Sequence, residues 1–302
     1  PAFLYYAYAA FSLIYPFKMG FFAAISLFFY FITAALVSFY CYRSIRNLAG
    51  LTLAVIFFCF PFVDFSGNTE IIYSSLSIAS LLILMKSRNK FIVAFSGSLA
   101  IFAVNTNYMA GIALSLPTVF LLLETGIAST IKRSLWYAAG VVAGLLIVFV
   151  PLQLTVGVMD GYFKPQISFL SAYGSGGISY HETFLFFLPV MVSVLLCPVL
   201  YAIVKKGAIG SRRDIIASAL CFAACVLSIM LARKPFMHYS AIFIIPCCVF
   251  AVAAGKNALA IIALSALPFN IYYQDLTHSL FKLHERLEAS YTKKKEAEFI
   301  EL

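Results

Sequence analysis

Long apolar runs recur along this chain at intervals of about 20 residues, the length with which an α-helix crosses a hydrocarbon core of roughly 30 Å. The 302 residues are 63% hydrophobic and only 11% charged, whereas a soluble domain carries about 25% charged residues. Backbone groups inside a bilayer must form their hydrogen bonds within the protein, which favours helices. The alternating segments of a membrane β-barrel are not seen in the sequence. The predicted fold class is therefore all-α, a polytopic transmembrane helical bundle.

The apolar runs predict about ten membrane spans. We expect them near residues 20–42, 48–63, 70–86, 91–105, 108–123, 134–154, 182–203, 215–232, 237–254 and 257–273. Residues 1–17 are apolar but short, so they form either a further span or, as we favour, an interfacial helix. Residues 1–273 are then one transmembrane domain. The Lys- and Glu-rich residues 274–302 form a polar helical tail.

Lysine and arginine concentrate in alternate loops, which the positive-inside rule places on the cytoplasmic side. These residues are Arg43 and Arg46; Lys86, Arg88 and Lys90; Lys132 and Arg133; Lys205, Lys206, Arg212 and Arg213; and Lys256. The opposite loops, 62–70, 105–108, 155–181 and 232–237, are then non-cytoplasmic and hold most of the chemically capable residues. The net charge of +9 reflects topology, and no nucleic-acid partner is expected.

The longest non-cytoplasmic loop, 155–181, contains a glycine-rich stretch at 171–179. Long glycine-rich connections are typical of mobile loops near a site. We expect a flexible cap or substrate loop here, not a packed element.

Two carboxylates, Asp64 and Glu70, lie in a short polar break between apolar runs. A carboxylate at a membrane boundary is costly and often functional. Asp64 and Glu70 could bind a divalent metal, hold an acceptor or transfer a proton. The alternative is a solvated loop in which Glu70 begins the next helix, with Asn68 or Thr69 as its cap.

Residues 233–239, Arg-Lys-Pro-Phe-Met-His-Tyr, form a second polar cluster at a span boundary. Arg233 offers bidentate donors, Lys234 a point charge and Tyr239 a hydroxyl, which together suit a phosphate. His238 lies in the same cluster, and Lys164 could join the anion site. The alternative is ordinary contact with lipid headgroups.

His181 and Glu182 end the long loop at the start of a span. They could supply a metal ligand or a general acid, or they could be simple interfacial residues. Asn105 and Asn107 are interpreted as polar lining. The cysteines lie mostly within apolar runs without metal-binding spacing, so we interpret them as core residues.

Three short segments resemble the GT-C class of membrane glycosyltransferases, nearest to its protein-mannosyltransferase and aminoarabinose-transferase branch. Residues 1–6, Pro-Ala-Phe-Leu-Tyr-Tyr, are similar to the end of that branch's P-P-L-Y-Y segment in the first outer loop. Residues 67–70, Gly-Asn-Thr-Glu, and the helix ending at 84–88 resemble its outer-loop acidic position and the span after it. Residues 233–239, running into Ile-Ile-Pro at 244–246, resemble its late R/K-x-P-H-Y-x-x-P segment.

The resemblance implies a sugar donor on polyprenyl phosphate and a lipid, glycan or protein acceptor. It implies a bacterial inner or plasma membrane, with the site on the non-cytoplasmic face. It places the principal catalytic acid before Pro1, so that the first span and the start of the first outer loop are missing and the fragment is inactive. Glu70, with Asp64 secondary, then supports the acceptor or a metal such as Mg²⁺ or Mn²⁺.

In the same resemblance, Arg233 and Lys234 face the lipid phosphate, joined by His238 and Tyr239.

Other function classes remain open. A transporter or flippase for a lipid-linked or amphipathic solute would favour ionisable residues at mid-span, whereas here they lie at span ends. A polysaccharide polymerase or ligase would favour several arginines in large outer loops, and a non-catalytic assembly subunit is a further alternative.

Overall fold

All the secondary structure described in this protein is helical. The computed structural model describes residues 2–14, 21–42, 69–123, 126–155, 157–175, 177–204, 211–234 and 237–254, together with Ala289. Within these ranges there is no β-strand, which confirms the all-α class for this part of the chain. Four described segments are long and apolar enough to cross a membrane: Ala24–Cys41, Thr69–Lys86, Ile127–Thr155 and Arg212–Ala232.

The helices are labelled in chain order. They are α1 (Ala2–Ser12), α2 (Phe21–Tyr42), α3 (Thr69–Lys86), α4 (Lys90–Thr106), α5 (Met109–Leu122), α6 (Ile127–Thr155), α7 (Lys164–Ser175), α8 (Tyr180–Val204), α9 (Arg212–Ala232) and α10 (Ile244–Ala254). A π-helical turn, Met159–Phe163, precedes α7, and a 3₁₀ turn, Met237–Phe243, precedes α10.

The predicted spans agree with these helices to within a few residues, with two exceptions. The span predicted at 134–154 belongs to α6, which begins at Ile127. Arg133, predicted in the preceding loop, lies within this helix and donates hydrogen bonds to the Leu84 and Ser87 carbonyls. The span predicted at 237–254 is divided into the 3₁₀ turn and α10. The spans predicted at 48–63 and 257–273, and the tail 274–302 apart from Ala289, lie outside the described residues.

The expectation of a flexible loop over 155–181 was wrong. Residues 159–163 form the π turn and residues 164–175 continue as α7. A Lys164–Asp160 ion pair of 2.5 Å links two successive turns, and Asn105 on α4 donates a 3.2 Å hydrogen bond to the Tyr162 hydroxyl. The hydrogen bond from Asn105 ties the π turn to α4, and the helix that follows extends into the glycine-rich stretch before it ends at Ser175.

The central helix of the bundle is α3. Its residues 70–84 are all buried, and it contacts α2, α4, α5, α10 and the 3₁₀ turn. A helix that is apolar or small on every face is suited to such a position. One interior pair of serines satisfies its hydroxyls across a helix contact: Ser80 and Ser96 on α4 each donate to the other's backbone carbonyl, at 3.0 and 2.9 Å.

Helices α4 and α6 approach each other through small residues. Gly140 and Gly144 form a G-x-x-x-G pattern on α6, which allows close approach of helix backbones in membranes. A Cβ built on Gly140 would collide with the Ala94 carbonyl, and one on Gly97 would collide with the Tyr137 carbonyl. The Ser98 hydroxyl donates a 2.8 Å hydrogen bond to the Gly140 carbonyl. This crossing packs α6 against α4, which in turn packs against α3.

The direction of α9 determines which residues share an end of the bundle. Lys86, the last residue of α3, forms a 2.8 Å ion pair with Asp214 in the first turn of α9. Helix α9 therefore runs antiparallel to α3, and its last residues return towards the first residues of α3. The Ser228 hydroxyl agrees with this direction, because it donates a 3.1 Å hydrogen bond to the carbonyl of Met109, at the start of α5.

Candidate functional site

Glu70 is a buried carboxylate at the first turn of the central helix. It is 4% exposed, and Asn107 Nδ2 lies 3.4 Å from its Oε1 and 3.2 Å from Thr69 Oγ1. The Asn107 Oδ1 in turn accepts a 3.0 Å hydrogen bond from the Met109 amide. Asn107 therefore joins the end of α4 and the start of α5 to the start of α3. The solvated-loop alternative does not describe Glu70, since a solvated carboxylate would be exposed.

Tyr73 lies one turn after Glu70 and is fully buried. Its hydroxyl makes no hydrogen bond to any described residue. Glu70, Tyr108 and Tyr239 are near enough to act electrostatically on it. A buried hydroxyl without a partner costs about 1–3 kcal/mol, so a ligand that accepts or donates a hydrogen bond here would relieve a real penalty.

The N-terminal helix α1 covers this end of the bundle. The Phe3 amide donates a 2.7 Å hydrogen bond to Asn105 Oδ1, and the Phe3 ring stacks on Phe102 with centroids 4.6 Å apart. Tyr8, further along α1, comes within electrostatic range of Glu70: burial, and then the Glu70 charge, raise the pKa of Tyr8 to about 12. Tyr8 therefore stays protonated and can serve as a hydrogen-bond donor in this region.

Arg233 follows α9 and adopts a left-handed backbone conformation, with φ of 52°. Its Nε donates a 2.7 Å hydrogen bond to the Ile178 carbonyl, and its own carbonyl accepts one of 3.1 Å from the Ile178 amide. The guanidinium also lies 5.0 Å from the centroid of the Tyr180 ring. A Cβ on Gly177 would come within 2.7 Å of the Arg233 Cβ. Arg233 thus holds the segment before α8 in place.

Among the residues of the second predicted cluster whose side chains the structure describes, Lys234 and Tyr239 are buried. Lys234 is 1% exposed and Tyr239 is 6% exposed. The 3₁₀ turn that carries Tyr239 packs on α3, where the Ser74 hydroxyl donates a 3.4 Å hydrogen bond to the Ala241 carbonyl. The backbone of His238 belongs to the same turn, while its side chain lies outside the described part of the structure. The two predicted clusters are therefore neighbours through Tyr239, Tyr73 and Glu70.

His181 and Glu182 are exposed at the start of α8. Glu182 Oε2 accepts hydrogen bonds from the Ser179 amide at 2.9 Å and the Ser179 hydroxyl at 2.8 Å, and the Glu182 amide lies 3.2 Å from that hydroxyl. This reciprocal arrangement is a capping box, which stabilises a helix start. It gives Glu182 a structural role, and its predicted acid–base or metal role stays a prediction.

The remaining predicted residues are less well placed. Lys164 is exposed and paired with Asp160, so its role in an anion site stays a prediction. Asp64 lies outside the described residues. Within the described ranges no three His, Cys, Asp or Glu side chains lie close enough to hold a metal ion. Glu70 is the described carboxylate that a metal could use here, and oxygen ligands suit Mg²⁺ or Mn²⁺.

Sequence reasoning missed Tyr73, a buried tyrosine within electrostatic range of Glu70. The available signal was its position three residues after Glu70, which places both side chains on one face of a helix. The tyrosines were instead interpreted as lipid contacts, because aromatic residues are abundant throughout the chain.

No protein-family model, no curated protein and no solved structure matches this chain.

Proposed function

We propose that this protein is an integral-membrane glycosyltransferase of the GT-C type, with about ten spans in a bacterial plasma membrane. It moves a sugar from a polyprenyl-phosphate donor to an acceptor on the non-cytoplasmic side. The observation that carries the proposal is the buried Glu70 carboxylate, held by Asn107. Tyr73, one turn further along α3, has a buried hydroxyl without a hydrogen-bond partner among the described residues. The sequence resemblance supplies the reaction class.

The burial of Glu70 supports a chemical role. Removing a carboxylate from water is costly unless it is paired and hydrogen-bonded. A glutamate that served only to begin α3 could remain exposed, as Glu182 does at the start of α8. Glu70 is instead buried within electrostatic range of Tyr8 and Tyr73. Polar groups around a buried carboxylate are typical of a site that positions a polar substrate.

The transfer needs one proton acceptor and one site for the leaving phosphate. The acceptor's hydroxyl oxygen bonds to the anomeric carbon, and the bond from that carbon to the phosphate oxygen breaks, its electron pair leaving with the phosphate. We assign the proton acceptor to Glu70 because of its burial, in place of the upstream acid that the resemblance implies. A cation near the leaving phosphate lowers the barrier by stabilising the developing charge. We assign that role to Lys234, which is buried at the end of α9.

Arg233 has a different role in this scheme. Its guanidinium is committed to the Ile178 carbonyl and the face of Tyr180. It is therefore a positioning residue that fixes the segment between α7 and α8 over the end of the bundle. Direct contact of Arg233 with the lipid phosphate, as the resemblance implies, stays a prediction.

The proposed function is tested with the full-length protein in lipid vesicles that contain a polyprenyl-phosphate sugar carrying a radiolabel. Transfer predicts label in a product that no longer carries the polyprenyl group, together with release of polyprenyl phosphate. A transporter or flippase predicts movement of intact donor between leaflets, measured by its accessibility to a membrane-impermeant reagent. Movement without cleavage of the sugar–phosphate bond would overturn the proposal.

Tyr73→Phe should raise stability and lower transfer. The substitution removes a buried hydroxyl that has no hydrogen-bond partner in the described part of the chain, so the free energy of unfolding should rise by about 1 kcal/mol. The rate of transfer should fall by about tenfold, since a net hydrogen bond to the ligand contributes about 1 kcal/mol or more. Denaturation in mixed micelles and the vesicle assay measure the two effects.

Tyr6→Phe is the matched control for Tyr73→Phe. The Tyr6 hydroxyl donates a 3.2 Å hydrogen bond to the Val148 carbonyl, so its removal should lower stability and leave transfer unchanged. Transfer that is unaffected by Tyr73→Phe would assign Tyr73 to the core and remove it from the site.

A further inference from the structure

A basic cavity lies at the opposite end of the bundle from Glu70. It has a volume of about 340 Å³ and lies between the start of α4 and the first turns of α6. Its lining contains four cationic residues, one aromatic residue and two small or apolar ones: Arg88, Lys90, Lys132, Arg133, Trp136, Ser129 and Val93.

Two of the cations are held in place by packing. Arg133 is 9% exposed, and its guanidinium donates to the carbonyl oxygens of Leu84 and Ser87 at the end of α3. The Lys90 ammonium lies 5.3 Å from the centroid of the Trp136 ring, a cation–π distance. Contacts with neighbouring groups therefore orient two of the cationic side chains in the cavity wall.

Asp214, in the first turn of α9, lies at the same end of the bundle as the cavity. Asp214 is already bound by Lys86 at 2.8 Å. Lys132 is exposed and makes no hydrogen bond or ion pair with the described part of the chain. Four convergent cations around one concave space favour an anion that can accept several hydrogen bonds, and phosphate is the common one.

The surroundings of the cavity favour a phosphate attached to a lipid. Large apolar side chains on the adjoining turns of α4 and α6 are exposed: Phe91 is 66% exposed, Phe95 56%, Ile131 54% and Leu135 65%. Acyl chains would cover such a surface, whereas a soluble phosphate ester would leave it uncovered. Trp136 is also of the residue type enriched where membrane meets water.

We propose that this cavity binds the phosphate headgroup of an anionic phospholipid. Arg88, Lys90 and Lys132 contact the phosphate oxygens, while Arg133 is bound to the carbonyls at the end of α3 and adds positive charge to the wall. The lipid chains run along the exposed apolar faces of α4 and α6. The inference rests on placement of the chain in a membrane, and it is independent of sugar transfer because the cavity and Glu70 lie at opposite ends of α3.

The test is native mass spectrometry of the full-length protein in detergent, titrated with phosphatidylglycerol and with phosphatidylcholine. We expect binding of phosphatidylglycerol to be preferred. Lys132→Gln and Arg88→Gln should each weaken it by about fivefold, since a cation near an anionic lipid contributes about 1 kcal/mol. Both side chains are exposed, so folding should be preserved.

Arg212→Gln is the matched control, because Arg212 is an exposed cation on the same predicted side that does not line the cavity. It should leave phosphatidylglycerol binding unchanged. Equal weakening by Arg212→Gln would overturn the proposal in favour of a general surface-charge effect. Equal binding of the two lipids would also overturn it, as would displacement of phosphatidylglycerol by millimolar inorganic phosphate, which would point to a soluble phosphate ligand.

Discussion

Glu70→Gln should lower the rate of sugar transfer by at least about a hundredfold, the typical contribution of a general base. The substitution keeps the size of the side chain and an oxygen that can accept from Asn107, which now lies 3.4 Å away. The fold should therefore be preserved while the proton acceptor is lost. The measurement is release of polyprenyl phosphate and labelled product by the full-length protein in vesicles, with stability followed in parallel.

Asp160→Asn is the matched carboxylate-to-amide control. Asp160 is 78% exposed, and its ion pair with Lys164 is also exposed, so the pair contributes little to stability. Transfer should stay at the wild-type rate. If Glu70→Gln turned over normally while remaining folded, Glu70 would be a structural residue and the proposed mechanism would be wrong.

The positions of the helices could be predicted because apolar run length maps directly onto the length of a span. The polar break before α3 likewise indicated Glu70. The pattern of apolar runs could not predict which helix lies at the centre of the bundle. The centrality of α3 depends on serines such as Ser80 that find partners on neighbouring helices, and those partners are distant in sequence. Tyr73 belongs to the site only because α3 is central.

The second cluster shows a similar limit. The adjacent cations Arg233 and Lys234 predicted a single phosphate-binding site, yet their two side chains have different environments. The chain turns through a left-handed conformation at Arg233, which directs that side chain to Ile178 and leaves Lys234 buried. A non-glycine residue rarely adopts this conformation, and composition alone gives no signal for it. The helical conformation of residues 159–175 was missed for a related reason. Tyr162 in the π turn accepts a hydrogen bond from Asn105 on α4, a partner that is distant in sequence.

The α4–α6 crossing should be the most sensitive packing site in the described bundle, and Gly140→Ala tests it. A Cβ at this position would meet the backbone carbonyl of Ala94 and lie 2.9 Å from the Ala94 Cα. Backbone cannot move aside as a side chain can, so the helices must separate. Overpacking of this kind costs about 1–3 kcal/mol, and the Ser98 hydrogen bond to the Gly140 carbonyl should weaken as well.

The same substitution at Gly111 provides the matched control. A Cβ there would lie 3.6 Å from a Val104 side-chain atom, an ordinary contact, and alanine stabilises a helix relative to glycine by about 0.5–1 kcal/mol. Gly140→Ala and Gly111→Ala should therefore change the free energy of unfolding in opposite directions, measured by denaturation in mixed micelles. Equal stability of the two variants would mean that α4 and α6 do not cross at Gly140. Because Asn105 and Asn107 end α4, loosening this crossing should also disturb the support of Glu70 and reduce transfer.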